Sequence, residues 1–129
     1  MKRRRITVLE DLVRKAIGLG AEIVEVEYRD GFEEVVAYRG VLGRQLARLR
    51  AGSADAAALG RDLYAWKVRP RRISVGGEDW LVRTEVWDSF GEDAFRITPE
   101  RRSQPLRRTI PQKGRRRIEE GRSRGTSRQ

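Results

Sequence analysis

The chain lacks both cysteine and histidine, and these two absences exclude several classes of chemistry. Without cysteine there is no disulfide, no thiolate nucleophile and no cysteine metal ligand. Without histidine, neither a Ser-His-Asp triad nor a Cys-His pair can form. Acid–base chemistry would need a carboxyl or lysine group with a strongly shifted pKa. We therefore expect a protein that is not an enzyme, with no catalytic residues, no metal site and no cofactor.

Long apolar runs are also missing, since no segment reaches the roughly 18 to 20 residues that a membrane-spanning helix needs. Residues 2–5 are all basic, but Glu10, Asp11 and Arg14 interrupt the apolar residues that follow them, which argues against a signal peptide. The lack of cysteine suits a reducing compartment. We therefore expect a cytoplasmic protein without a membrane span, and its 129 residues leave room for one domain.

The net charge of +10 is concentrated at the end of the chain. Residues 101–129 contain 11 Arg or Lys against two Glu, whereas residues 1–100 contain 18 basic and 17 acidic residues. The apolar periodicity stops near Pro99, and the segment beyond it has too few apolar residues to offset its ordering entropy. The sequence predicts a folded domain over residues 1–99 and a disordered basic tail over residues 100–129.

Such a tail is attracted to polyanions without recognising their sequence. Its candidate contacts are Arg101, Arg102, Arg107, Arg108, Lys113, Arg115, Arg116 and Arg117. The tail contains no aromatic residue on which a base could stack, so it lacks the platform typical of single-strand binding. It is either a polyanion-binding segment or a solubilising extension without a specific partner.

The folded part begins with the pattern of a helix and a hairpin. Apolar residues at helical spacing predict a helix over residues 8–19, with Thr7 as N-cap and Glu10 at the capping-box position. Apolar residues then alternate with glutamates, which predicts two strands between residues 24 and 38. Asp30-Gly31 supplies the turn between them, because this pair accepts positive φ at low cost.

The rest of the domain shows two more helical patterns and then three strands. Leucines at helical spacing predict a short helix over residues 41–49, and a longer one follows over residues 54–67 with Ser53 as N-cap. The strands are centred on pairs of apolar residues, namely Ile73 and Val75, Trp80 and Val82, and Phe95 and Ile97. The predicted order α-β-β-α-α-β-β-β favours an α+β domain with helices packed on one face of a mostly antiparallel sheet.

Two groups of side chains have alternative interpretations. Trp87 is out of register with Trp80, so we expect it to be exposed on the opposite face, where it is either part of an interface or only a surface residue. The carboxylates of the first hairpin could suggest a divalent-cation site, but alternating carboxylates are more typical of a solvated face. They are Glu22, Glu25, Glu27, Glu33 and Glu34.

Several short segments, in order along the chain, carry a resemblance to a known family. They are Leu-Gly-Ala at residues 19–21 before a strand ending in Glu27, Tyr-Arg-Gly-Val-Leu at 38–42, Arg-Ile-Ser-Val-Gly-Gly-Glu at 72–78, Leu-Val-Arg-Thr at 81–84 and Gly-Glu-Asp-Ala-Phe-Arg-Ile at 91–97. Over roughly residues 9–98 the chain resembles the N-terminal domain of type II secretion and type IV pilus assembly ATPases. In that family, arginines of this domain contact nucleotide on the motor domain. The resemblance therefore implies phosphate or partner contact by Arg39, Arg72, Arg83 and Arg96.

The chain also departs from that family. Glu22, Ile23 and Glu25 stand where the family has Ser-Asp and His, and Arg39-Gly40 shortens its Arg-Ile-Asp-Gly. The sequence contains no Gly-x-x-x-x-Gly-Lys-Ser/Thr motif, so we expect no ATP hydrolysis by this chain. Strand arginines on a solvated face often pair with neighbouring carboxylates instead of a ligand.

Two functional hypotheses follow. The first is a non-catalytic interaction or regulatory module that acts on a protein partner, with a secretion or pilus ATPase supplied in trans as the candidate. The alternative is a nucleic-acid-binding protein whose tail supplies the phosphate contacts and whose domain supplies position.

Overall fold

The computed structural model describes residues 5–102, which form an α+β domain. In chain order the elements are α1 (Val8–Gly18), β1 (Ile23–Arg29), β2 (Phe32–Arg39), β3 (Leu42–Arg50), α2 (Ala54–Val68), β4 (Arg71–Val75), β5 (Glu78–Ser89) and β6 (Glu92–Arg101). The strands form one antiparallel sheet in the order β3-β2-β1-β6-β5-β4. The chain thus has two halves, each a helix followed by three strands, and β1 of the first half pairs with β6 of the second.

The short helix predicted over residues 41–49 is wrong, because this segment is strand β3. A bulge in the β2–β3 pairing places Val35 opposite Ala47 but Val36 opposite Gln45, so that Leu46 is the extra residue. A bulge interrupts the two-residue alternation of a strand. The leucines of β3 therefore fall at a helix-like spacing although their backbone is extended. The true element order is α-β-β-β-α-β-β-β.

Both helices begin at the caps that the sequence predicts. The Thr7 hydroxyl accepts a hydrogen bond from the Glu10 amide at 3.2 Å, and the Ser53 hydroxyl accepts one from the Ala56 amide at 3.1 Å. Each satisfies an amide that has no partner within the helix. The Glu10 carboxylate is fully buried and forms an ion pair with Arg14 at 2.8 Å.

A single cluster of buried apolar side chains joins the helices to the sheet. Its larger members are Leu9, Leu12, Val13, Val24, Val26, Val35, Leu59, Leu63, Trp66, Ile73, Val82, Phe95 and Ile97. In the centre of the sheet, Val24 lies opposite Ile97 and Val26 opposite Phe95. We call the sheet face that carries these residues the core face, and the opposite one the outer face. Every second strand residue points to the outer face.

The end of the domain lies beyond the expected boundary at Pro99. Strand β6 continues to Arg101, whose guanidinium contacts the Glu78 carboxylate at 3.2 Å. The Arg102 amide donates to the Asp79 carbonyl oxygen at 2.9 Å. Two of the arginines assigned to the basic tail are therefore held against β5, and the remainder of the predicted tail lies outside the described residues. Neither helix within residues 5–102 is long and apolar enough to cross a bilayer.

Candidate functional site

Three of the four arginines singled out from the sequence form a diagonal row on the outer face. Arg72 on β4 is paired with Leu81, two residues before Arg83 on β5. Arg83 is paired with Thr98, two residues after Arg96 on β6. Diagonal neighbours in an antiparallel sheet lie about 7 to 8 Å apart at their backbones, within reach of long side chains. The outer face therefore carries three guanidinium groups on three adjacent strands.

Two of these arginines contact carboxylates on neighbouring strands. Arg96 donates to Glu25 of β1 at 3.0 Å and also lies over the Trp87 ring, 5.3 Å from its centroid. Arg83 contacts Glu100 of β6 at 3.3 Å. Within residues 5–102, Arg72 makes no ion pair, so it is the member of the row most available to an external anion.

Arg39 does not join this row. It lies at the end of β2, and its guanidinium nitrogen comes within 3.7 Å of the position that a Cβ on Gly20 would occupy. Gly20 has a φ of +78°, which favours glycine, and it links α1 to β1. The structure therefore separates Arg39 from the other three arginines and places it at the β2–β3 hairpin.

The glutamates of the first hairpin are largely paired. The contacts are Glu25 with Arg96, Glu27 with Arg29 at 2.9 Å, Glu34 with Arg48 at 3.2 Å, and Glu22 with the Gly40 amide at 3.0 Å. The hydrogen bond to Glu27 and its negative charge raise the pKa of Arg29. In the part of the chain that the structure describes, no group of three or more carboxylates is placed to hold a metal ion. The outer face is thus a network of ion pairs.

An apolar groove of about 250 Å³ lies at the end of the sheet where β2 turns into β3. Its lining residues are Leu19, Ala21, Ala37, Tyr38, Arg39, Leu42, Gly43 and Arg44. Leu42 is 74% exposed, and the adjacent turn residue Val41 is 95% exposed. Large apolar side chains with this much exposure, beside a groove with two arginines on its rim, form a surface suited to an amphipathic partner.

Sequence reasoning missed this groove, apart from Arg39. A helix over residues 41–49 would have turned Leu42 and Arg44 to different faces. The signal that could have identified β3 is Gly40-Val41, a two-residue turn between two runs of strand length. Gly40 adopts a φ of +60°, as the first position of such a turn requires.

A second depression, of about 350 Å³, lies between α2 and the start of β6. Its floor is apolar, formed by Leu59, Leu63 and Phe95, and its rim carries carboxylates, Glu33 among them. Burial raises the pKa of Glu33, and the negative charge of the nearby Glu92 carboxylate makes a smaller contribution in the same direction. The Tyr64 hydroxyl donates to the Asp93 carboxylate, and this hydrogen bond raises the pKa of the tyrosine. The charged residues that line this depression are all acidic, whereas those that line the β2–β3 groove are arginines.

The tryptophans lie on the predicted faces of the sheet and helix. Trp66 is 5% exposed, and Trp80 packs against the core. Trp87 points away from Trp80 to the outer face, as expected, but it is half-buried beside Arg96 and not exposed.

No protein-family profile and no curated protein sequence matches this chain. The resemblance to the secretion and pilus ATPase domain, and the phosphate contacts that it implies for the four arginines, therefore stay predictions. The tail contacts from Arg107 to Arg117 lie outside the described residues.

Proposed function

We propose that this chain is a non-catalytic protein-interaction module of the cytoplasm, related to the N-terminal domain of secretion and pilus assembly ATPases. The observation that carries the proposal is the pair of exposed apolar side chains, Val41 and Leu42, beside the groove at the β2–β3 hairpin. Exposed apolar residues that converge on a concave surface are typical of sites for a partner protein. A motor ATPase acting in trans is the partner that the resemblance favours.

One buried core joins both helices to the sheet. Leu9 and Val13 of α1 and Leu59 and Leu63 of α2 belong to one cluster with the core face of the sheet. We infer that both helices cover that face and leave the outer face open. The outer face is rich in ion pairs and supplies less of the desolvation energy that stable protein contacts need.

The experiment is site-specific photo-cross-linking in the cells that make the protein. A photoreactive amino acid replaces Leu42 in the groove, or Phe90, a fully exposed residue at the β5–β6 turn. Val68, which is 84% exposed at the end of α2, serves as the control position. We expect a defined protein adduct from at least one of the first two positions and none from Val68. If neither Leu42 nor Phe90 gives adducts above the Val68 background, the proposal is wrong.

A second function, nucleic-acid binding, is favoured by the distribution of charge. Residues 5–102 contain 17 basic and 17 acidic residues, so the whole net charge of +10 lies in residues 1–4 and 103–129. Attraction to phosphate therefore comes from the ends of the chain and not from the neutral domain. Anisotropy titrations of labelled DNA and RNA with the full chain and with residues 1–102, at low and physiological salt, test this. Binding that survives both truncation and salt contradicts a tail-based mechanism.

A further inference from the structure

Strand β3 is one edge of the sheet, and no described strand pairs with its outer side. An edge strand presents a row of unpaired backbone N–H and C=O groups that can pair with another extended chain. β3 is nine residues long, whereas the opposite edge strand, β4, has five. Short edge strands give little length for such pairing, so β3 is the edge better suited to a partner.

The charge of β3 restricts what can pair with it. The strand carries Arg44, Arg48 and Arg50 and contains no acidic residue. Arg48 contacts Glu34 and lies over the Phe32 ring, 3.6 Å from its centroid. Arg44 makes no ion pair within residues 5–102. Opposite charges across a strand pair stabilise it and like charges destabilise it, so the edge favours an acidic strand.

The same charges argue against the occupants that this chain itself could supply. Pairing β3 with β3 of a second copy would bring two sets of three arginines together. The other edge, β4, carries Arg71 and Arg72 and no carboxylate. Residues 103–129 contain nine basic and two acidic residues, so this segment is repelled as well. Charge complementarity therefore points to a different protein.

The groove at the start of β3 supplies an apolar contact in line with the edge. Leu42 is both the first residue of β3 and part of the groove, together with Leu19 of the α1 C-cap. Recognition by strand addition obtains its affinity from main-chain hydrogen bonds and its specificity from pockets for alternate side chains. A strand laid along β3 would place a side chain near this groove and others near the arginines.

From these contacts we propose that β3 binds an extended acidic segment of a partner protein, which adds a seventh strand to the sheet. An apolar side chain of that segment enters the groove beside Leu42, and its carboxylates, on the outer face, face Arg48 and Arg50. This inference rests on the proposed function, because it names the partner's chemistry at the same groove.

The test uses synthetic peptides and the full chain at physiological salt. The probe is a fluorescein-labelled nine-residue peptide of alternating glutamate and valine. One control peptide has lysine in place of glutamate, and a second has proline at its central position, which removes a backbone donor from a strand. We expect the acidic peptide to bind and the lysine peptide not to bind. The proline peptide should bind about tenfold more weakly than the acidic peptide without proline.

Matched variants locate the binding site on one edge of the sheet. Arg50→Glu changes an exposed arginine of β3, and Arg61→Glu changes an exposed arginine of α2, away from both edges of the sheet. We expect Arg50→Glu to weaken binding about tenfold and Arg61→Glu to change it less than about twofold. Hydrogen exchange should show new protection of amides in β3 and none in β4. Far-UV circular dichroism checks that both variants keep the fold.

The outcomes separate this proposal from the one on which it rests. If the acidic peptide binds both variants equally and leaves β3 amides unprotected, it binds another basic part of the chain and the strand-addition proposal is wrong. A specific cellular adduct from Phe90 but not from Leu42 would also overturn it while preserving the interaction module. Loss of all protein adducts would overturn the interaction module itself.

Discussion

Glu10 of α1 and Arg71 of β4 form an ion pair at 3.3 Å although 61 residues separate them in the sequence. The Glu10 side chain is fully buried, and its other oxygen accepts from Arg14 at 2.8 Å. Arg71 in turn lies over the Trp66 ring of α2, 5.7 Å from its centroid. This contact therefore links α1, in the first half of the domain, to β4 and α2 in the second half.

We predict that Glu10→Ala lowers the free energy of unfolding by about 2 kcal/mol, because it removes the common partner of two arginines. The loss is smaller than for a fully buried pair, since Arg14 and Arg71 are 28% and 42% exposed and regain water. The control is Asp11→Ala, which removes an exposed ion pair with Lys15 and should cost less than about 0.5 kcal/mol. Urea unfolding of both variants measures the difference. Equal losses would show that the buried carboxylate is not specifically stabilising.

The raised pKa of Glu33 predicts a pH dependence of stability. Burial and Glu92 make the folded state hold the Glu33 proton more tightly than the unfolded chain does. Stability should therefore fall as the pH rises from the ordinary value of 4.5 through the raised value, with the full loss above it. Glu33→Gln removes this term and should stabilise the domain by about 0.5 kcal/mol at neutral pH, with no gain well below pH 4.5.

Urea unfolding between about pH 3.5 and 7.5 measures this change. Glu34→Gln is the control, because Glu34 is the next residue on β2 but contacts Arg48 at 3.2 Å. It should bring no gain at any pH. A gain for Glu33→Gln that is the same at every pH would contradict the mechanism, because the cost arises only when Glu33 is ionised in the folded state.

Local signals in the sequence were sufficient for much of this fold. Thr7 and Ser53 could be identified as helix caps because the hydrogen bond that each makes spans only three residues. Asp30-Gly31 could be identified as a turn because its positive φ angles favour these residue types. β3 was not identifiable in this way, since the bulge that produces its misleading leucine spacing depends on pairing with β2.

The candidate site was less predictable because it depends on the strand order. The alternation of strand residues was enough to place Arg83 and Arg96 on one face. The alternation did not identify the partners of these arginines. The Arg96–Glu25 contact, for example, joins residues 71 apart and requires that β1 pair with β6. The groove beside Leu42 depends on both the identity of β3 and the approach of α1, so no single segment encodes it.

Phe90 occupies a backbone position that suits asparagine or glycine. It is the first of the two turn residues between β5 and β6, with a φ of +54°, and its side chain is fully exposed. A bulky residue at positive φ is strained, and turns of this kind prefer Asn-Gly. We predict that Phe90→Asn raises the free energy of unfolding by about 0.5 to 1 kcal/mol.

Asp30→Asn is the matched control for Phe90→Asn. Asp30 has a φ of +51° in the equivalent position of the β1–β2 turn, and aspartate, like asparagine, tolerates a positive φ. Thermal unfolding should therefore show a much smaller change for Asp30→Asn. A loss of stability for Phe90→Asn would mean that the exposed ring makes a contact that stabilises the folded chain.

Two glycines, one in a strand and one in a helix, should respond in opposite directions to the same substitution. A Cβ on Gly43 of β3 would lie 2.8 Å from Cε1 of the Tyr38 ring and 3.2 Å from Val36 Cγ1, whereas a Cβ on Gly60 of α2 meets no atom within 4 Å. Gly43→Ala must therefore displace the Tyr38 ring and should cost about 1 kcal/mol. Gly60→Ala should gain about 0.5 to 1 kcal/mol, because alanine restricts the unfolded chain and favours the helix. Urea unfolding of the two variants tests the sign of each change, and a gain for Gly43→Ala would show that the Tyr38 ring moves without cost.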